Sequence, residues 1–102
     1  QPHRFSRTEK LLDEFARVLG GLDRLILTDI FSASEAPGAV TGGTLHDRVR
    51  AIAPHTQYVA DIAAVPDAVR RACRAGDLVL FLGAGTISDA AHQLITTPAT
   101  AR

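Results

Sequence analysis

Apolar residues along the chain follow two patterns that predict different kinds of secondary structure. A helical spacing of apolar residues predicts four helices, in residues 6–19, 45–53, 66–75 and 87–95. Short runs that are apolar at most positions predict strands in residues 25–31, 57–60 and 77–82. The stretch 32–43 is rich in glycine and contains Pro37, which predicts a loop.

Residue types that favour helix ends support these boundaries. Ser6 and Glu9 fit a capping box, in which both side chains bond unpaired N–H groups at a helix start. Pro54 stops the second helix, because the residue before a proline avoids helical geometry. Pro66 opens the third helix and Gly76 closes it.

Strict alternation of helices and strands predicts an α/β fold, a Rossmann-like open parallel sheet flanked by helices. No strand precedes the opening helix, so we expect the first strand of the sheet to lie upstream of Gln1. Residues 1–95 form one predicted domain, and residues 96–102, which lack periodicity, a flexible tail. A sheet without its first strand exposes an apolar edge, so we expect self-association or marginal stability.

Composition narrows the classes of partner. The chain carries 11 basic and 11 acidic side chains, so its formal net charge is zero. This balance argues against nucleic acid and membrane surfaces as partners, and no apolar run approaches the about 20 residues that span a bilayer. Cys73 is the only cysteine and follows apolar residues at helical spacing, which predicts a buried structural thiol. The scattered histidines His46, His55 and His92 predict no metal site.

Polar residues from three segments are expected at one edge of the sheet. The carboxyl ends of parallel strands meet at this edge, and ligands of open α/β sheets bind there. One group follows the expected upstream strand, a second lies near the end of the strand at 25–31 and in the loop after it, and a glycine-rich turn follows the last strand. These candidate residues are His3, Arg4, Arg7, Asp29, Glu35, Gly83, Ala84, Gly85 and Thr86.

The cationic cluster His3, Arg4 and Arg7 favours an anionic ligand. A helix start carries unpaired N–H groups and a positive partial charge, and arginine binds carboxylates and phosphates through two hydrogen bonds. Arg7 lies in the first turn, where a cation is unfavourable unless an anion offsets it. The alternative for His3 and Arg4 is a solvated pair, and a structural role for Asp29 is equally consistent with its position. For Glu35, the default is a solvated carboxylate.

The turn Gly83-Ala84-Gly85-Thr86 allows the backbone to approach a ligand or another chain segment closely. Ser88 stands where the third glycine of a dinucleotide-binding motif would be, and the chain has no P-loop. The turn is therefore a weak candidate for cofactor binding. Thr86 is the expected N-cap of the last helix.

Three segments resemble a known family. The opening residues QPHRFSRT are similar to QPHRYSRT of the Mur ligases, which act in peptidoglycan synthesis. Residues 27–35, LTDIFSASE, resemble the family's LTDIYPAxE, and residues 76–85, GDLVLFLGAG, resemble its GDLVLxLGAG. The resemblance extends from Gln1 to about Leu94 and implies most of the C-terminal domain of a three-domain ligase.

This resemblance implies cytoplasmic, ATP-dependent formation of an amide bond between UDP-N-acetylmuramic acid and L-alanine. In the full enzyme the N-terminal domain would hold the sugar nucleotide, and the central domain would hold ATP with Mg²⁺. By the same resemblance, His3, Arg4 and Arg7 would contact the alanine carboxylate and the sugar nucleotide. Asp29 and Glu35 would lie near that site.

Two departures and two alternatives accompany the resemblance. Thr86 stands where the family has an acidic residue, and Phe5 replaces a tyrosine. Because the chain lacks a P-loop, we expect it to bind neither ATP nor Mg²⁺ alone and to have no ligase activity by itself. One alternative is the related ligase that joins a peptide to the same sugar acid. The other is a stand-alone α/β module that binds a nucleotide or a partner protein.

Overall fold

A computed structural model describes residues 1–96 of the chain. The helices and strands alternate as the apolar pattern predicts up to residue 72, with shorter strands. The elements are α1 (Phe5–Lys10), α2 (Leu12–Leu19), β1 (Ile26–Leu27), α3 (Gly42–Ile52), β2 (Gln57–Tyr58), a 3₁₀ turn (Ile62–Ala64), α4 (Val65–Ala72) and α5 (Ile87–Thr96).

The sheet is parallel, which confirms the predicted α/β class. β1 pairs with β2 so that Ile26 lies opposite Gln57, and α3 forms the crossover between them. The amides of Gln57 and Val59 donate to the carbonyls of Leu25 and Leu27, at 3.0 and 2.7 Å. The helix over Gly42–Ile52 ends before Pro54, as predicted.

Apolar side chains cover both faces of β1. Leu27 packs with Ala16, Leu45 and Val49 in a cluster between the sheet and helices α2 and α3. Ile26 points the opposite way and packs against a second cluster formed by Val65, Val69, Ile87 and Ala90 of α4 and α5. Burial on both faces explains why the run around β1 has no polar alternation.

The predicted capping box at the first helix is wrong. Ser6 lies inside α1, and Arg4 occupies the N-cap position without a capping bond from its side chain. Glu35, from the loop after β1, accepts from both the Ser6 backbone amide and the Ser6 hydroxyl. The helix also breaks at Leu11, which has φ −111° and ψ 19° and separates α1 from α2.

The predicted strand at 77–82 is also wrong, because these residues enter no sheet in the described chain. Leu78, Leu80 and Leu82 expose 83%, 69% and 65% of their surface. α4 ends at Ala72, earlier than predicted, and Gly76 instead occupies a turn with φ 92°. Without a neighbouring strand, an apolar sequence in this segment has no backbone partner for a ladder.

A large groove separates β1 from the segment 78–82, and we call it the central groove. Its volume is about 880 Å³. Phe15 and Leu19 of α2 line one wall, and Val65, Val69 and Cys73 of the α4 region line the other. Cys73 is half-buried, at the end of α4.

The predicted tail, residues 96–102, begins at the last residue of α5, and its remainder lies outside the described residues. No helix within residues 1–96 has the length and apolar character required to cross a membrane.

Candidate functional site

The segment before α1 is held against the end of β1 in an unusual backbone conformation. Arg4 has φ 67° and ψ 138°, a region that residues with a side chain seldom adopt. The Phe31 carbonyl accepts from the Arg4 amide at 2.7 Å, and the Phe31 amide donates to the Pro2 carbonyl at 2.8 Å. The His3 ring stacks on the Phe31 ring, with centroids 5.8 Å apart.

Thr8 holds the same segment from within α1. Its side chain is fully buried, and its hydroxyl donates to the Arg4 carbonyl at 2.8 Å. The Thr8 amide donates to that carbonyl as well, at 3.2 Å. Arg4 is therefore fixed through its amide and its carbonyl while its side chain is exposed. Strained residues that their surroundings hold in place are characteristic of binding and catalytic sites.

Arg7 and His3 both line the central groove, whereas Arg4 lies outside its wall. Two ion pairs join described residues, Arg48 with Asp13 and Arg70 with Asp67, and neither includes Arg4 or Arg7. α1 has only six residues, so Arg7 also lies in its last turn, where a cation is favourable. The helix dipole therefore no longer indicates an anion beside Arg7. The exposed guanidinium groups of Arg4 and Arg7 are the remaining indication of an anionic ligand.

Glu35 occupies the start of α1, where an external anion was expected. Its two oxygens accept from the Ser6 amide and the Ser6 hydroxyl at 2.8 and 2.6 Å. These hydrogen bonds hold the pKa of Glu35 below its usual value, with a smaller contribution from the Arg4 charge. The carboxylate of the chain itself thus stabilises the helix start.

Asp29 lies just after β1, where Tyr58 of β2 donates a hydrogen bond to it. Burial, together with this bond and the Asp29 charge, raises the pKa of Tyr58 to about 12. The His46 ring stacks on Tyr58 with centroids 5.5 Å apart. A side chain at Gly42 would come within 2.7 Å of an Asp29 oxygen, so the start of α3 needs glycine there. Asp29 is consequently well positioned, although its side chain is exposed.

Gly83 and Gly85, in the turn after residue 82, lie where other parts of the chain pack against the backbone. A Cβ at Gly83 would lie 2.8 Å from Ile87 and 3.0 Å from the Gln1 carbonyl. A Cβ at Gly85 would overlap the Phe31 ring. Close packing between protein segments thus accounts for both glycines, and Ala84 between them is exposed.

Gln1 joins this turn to the rest of the candidate site. Its side-chain amide donates to the Thr86 hydroxyl at 3.0 Å, and its side-chain oxygen accepts from the Ile87 amide at 3.1 Å. Gln1 therefore satisfies the first unpaired amide of α5, while Thr86, directly before the helix, accepts from Gln1.

The structure divides the candidate residues between two concavities. Asp29 and Thr86 line a small polar cleft of about 360 Å³. His3, Arg7 and Gly83 line the central groove, and Gln1 lines both. Arg4, Glu35, Ala84 and Gly85 line neither one. Residues 1–96 contain no group of three or more His, Cys, Asp or Glu side chains that could hold a metal ion.

Sequence reasoning missed two contributors, Gln1 and Tyr58. Tyr58 lies near the carboxyl end of the strand beside β1, and that position was a usable signal for a contact with Asp29. Gln1 carried no such signal, because its partners are more than 80 positions away.

Comparison with known proteins identifies the family. The Mur ligase, glutamate ligase domain family matches residues 1–85, which is most of the chain. The chain therefore belongs to this family. The match covers α1, both strands, the groove walls and the turn through Gly85.

Curated relatives extend the match to nearly the whole chain. A UDP-N-acetylmuramate–L-alanine ligase of Bordetella avium is 41% identical over 92% of the chain. Proteins of the same name from Synechococcus elongatus and a Nostoc species are 38% and 40% identical over 93% and 99% of the chain. The chain spans about a fifth of the length of these relatives, 20% of the Bordetella protein.

Proposed function

We propose that this chain is the C-terminal substrate-binding domain of an ATP-dependent ligase that joins L-alanine to UDP-N-acetylmuramic acid in the cytoplasm. The observation that carries the proposal is the 38–41% identity to ligases of that name over more than nine tenths of the chain. A structural observation also supports the proposal: Arg4, at the sheet edge where ligands are expected, is exposed and has a strained backbone.

In this proposal the chain positions one substrate and neutralises its charge. Arg4 and Arg7 would bind the carboxylate of alanine or a phosphate of the sugar nucleotide, since a guanidinium suits both groups. His3, stacked on Phe31, and Asp29, bonded by Tyr58, would contact polar parts of the substrates. Holding the amine in place lowers the entropic cost of reaction, which is the contribution that such a domain makes.

ATP with Mg²⁺ would supply the activation of the sugar-acid carboxyl group for attack by the alanine amine. This chain has no P-loop, and residues 1–96 have no metal-binding cluster. The proposal therefore assigns the binding of ATP to the central domain of the longer ligase. The purified 102-residue chain should release no ADP when given ATP, the sugar acid and alanine.

The sharpest test replaces Arg4 in the full-length ligase. Loss of one charge-assisted contact, worth about 1.5–3 kcal/mol, should raise KM for alanine or for the sugar nucleotide roughly tenfold or more. Arg17→Ala removes an exposed arginine from α2 and provides the matched control. If neither KM changes in Arg4→Ala, the binding role of Arg4 is excluded.

Arg4→Gly separates binding from folding. Glycine adopts a positive φ without strain, so this variant should be as stable as the parent or more stable by about 1 kcal/mol. Its KM should nevertheless rise as in Arg4→Ala. A variant that loses stability and activity together would indicate that Arg4 serves the fold.

A further inference from the structure

Tyr58 and Asp29 form a hydrogen-bonded pair that joins the ends of the two strands. Asp29 lies two residues after β1, Tyr58 is the last residue of β2, and the Tyr58 hydroxyl donates to Oδ1 of Asp29. The first residue of α3 closes this pair on one side. A Cβ at Gly42 would lie 2.7 Å from that oxygen and 3.2 Å from the Tyr58 ring. Oδ1 of Asp29 is therefore occupied by contacts within the protein.

The Tyr58 ring is itself held in place. The His46 ring of α3 stacks on it, and Nε2 of His46 donates to the carbonyl of Thr56 at 3.1 Å. Burial, followed by the hydrogen bond to Asp29 and the charge of Asp29, raises the pKa of Tyr58 to about 12. The hydroxyl consequently keeps its proton at neutral pH and is a constant donor to Asp29.

The second carboxylate oxygen of Asp29 has different surroundings. Among residues 1–96, Tyr58 is the one recorded hydrogen-bond partner of the Asp29 side chain, and it uses Oδ1. The side chain is exposed and lines the small polar cleft. The bond from Tyr58 thus fixes the carboxylate through one oxygen and leaves the other oxygen available to a ligand in the cleft.

The small polar cleft suits a group that donates hydrogen bonds. The described residues that line it include no basic side chain, whereas His3 and Arg7 line the central groove. The cleft also extends close to Arg4, because Phe31 lines it and accepts from the Arg4 amide at 2.7 Å. An amino acid carries an amino group and a carboxylate, so these surroundings match its two ends separately.

We propose that Tyr58 is a positioning residue that directs the second oxygen of Asp29 into the small polar cleft, where this oxygen accepts a hydrogen bond from the amino group of the amino-acid substrate. The inference rests on the proposed function and deepens it. The carboxylate of the amino acid lies with the arginines, and its amino group lies with Asp29. Tyr58 contacts no substrate and acts only through Asp29.

The test uses the full-length ligase, with alanine as the varied substrate and ADP release as the measurement. Asp29→Asn removes the charge and keeps the shape, so KM for alanine should rise roughly tenfold, as expected for one charge-assisted hydrogen bond. Tyr58→Phe removes only a hydroxyl and should raise KM about fivefold while kcat stays nearly unchanged. An unchanged KM in either variant would overturn the proposal.

A double-mutant cycle tests whether Tyr58 acts through Asp29. In an Asp29→Ala variant there is no carboxylate to position, so adding Tyr58→Phe should change KM for alanine by less than about twofold. A further fivefold rise in that variant would contradict the proposal, because the hydroxyl would then act by another route.

Propionate distinguishes the two ends of the substrate, because it keeps the carboxylate of alanine but has no amino group. Its inhibition constant against alanine should stay within about twofold of the parent value in Asp29→Asn and Tyr58→Phe. If this constant rises as much as KM for alanine, the amino group is not the contact of Asp29 and the proposal fails.

Thr41→Ala is the control for stability. Thr41 caps α3 by accepting from the Thr44 amide at 3.2 Å, so its loss should lower the Tm about as much as Tyr58→Phe does. KM for alanine should remain at the parent value, and a rise equal to that of Tyr58→Phe would overturn the positioning role. A parent ligase without alanine-dependent ADP release would overturn the proposed function as well. An active Tyr58→Phe variant with the parent KM would overturn this inference alone.

Discussion

Two apolar runs of similar composition, residues 25–31 and 77–82, have very different surroundings. Leu27 in the first run is 3% exposed, whereas Leu80 in the second is 69% exposed. The first run has β2 as a neighbour and helices on both faces. The second run borders a groove. An apolar run thus favours extended backbone, but membership of a sheet depends on a partner elsewhere in the chain.

The largest expected effect comes from the same substitution in both runs. Leu27→Ala should destabilise the chain by about 2–5 kcal/mol, because it leaves a cavity in a packed cluster. Leu80→Ala should change the free energy of unfolding by less than about 0.5 kcal/mol. Urea unfolding of both variants measures the difference. Equal losses of unfolding free energy would mean that residues 77–82 are buried in solution. The two apolar runs would then not differ in their surroundings.

A smaller effect is expected where the turn after residue 82 meets Phe31. Gly85→Ala would force the Phe31 ring to move and should cost about 1–3 kcal/mol. Gly43→Ala is the matched control, since the new methyl group would be 3.6 Å from its nearest neighbour. Thermal unfolding should show a lower Tm for the first variant alone. An unchanged Tm for Gly85→Ala would show that the two regions do not pack together.

The loop after the first run provides a pH-dependent test. The pKa of Glu35 is lowered in the folded state, so its carboxylate contributes stability above its ordinary value of 4.5. That contribution disappears as the pH falls through the lowered value. Glu35→Gln should therefore be less stable than the parent at pH 7, and the difference should shrink towards pH 3. Urea unfolding at both pH values measures it, and a difference that does not depend on pH would contradict the Ser6–Glu35 interaction.

The smallest expected effect on unfolding comes from placing charged residues in the second apolar run, residues 77–82. Leu78→Lys with Leu80→Lys should leave the free energy of unfolding nearly unchanged, because both leucines are exposed. The same variant should reduce self-association, since lysines along a sheet edge oppose pairing between chains. Sedimentation at several concentrations tests this. If the parent is already monomeric at all concentrations, the expected self-association is wrong.

Local signals explain which parts of the fold the sequence could predict. Leu45, Val49 and Pro54 define α3 through spacing and a stop signal only a few residues apart. The hydrogen bond from Tyr58 to Asp29 and the contact of Glu35 with Ser6 join residues 29 positions apart. These contacts depend on how the elements pack, which the local sequence does not reveal. The local pattern at Ser6 and Glu9 therefore predicted a capping box, although Ser6 bonds Glu35 instead. The failure at 77–82 has the same origin, because no local pattern reveals whether a strand has a neighbour.

The candidate site shows the same limit. The carboxyl-edge rule places Asp29 and Thr86 in one cleft, as the structure does. It does not separate them from His3 and Arg7, which line the central groove. The KM measurements on Arg4 test whether this edge of the sheet binds a ligand.

The two apolar clusters on opposite faces of β1 have a consequence for folding cooperativity. One cluster joins α2 to α3 and the other joins α4 to α5, with the short sheet between them. Because each cluster is formed by its own pair of helices, the half that contains α4 and α5 can open while the other half stays closed. Calorimetry of the chain should then give a calorimetric enthalpy larger than the van't Hoff enthalpy.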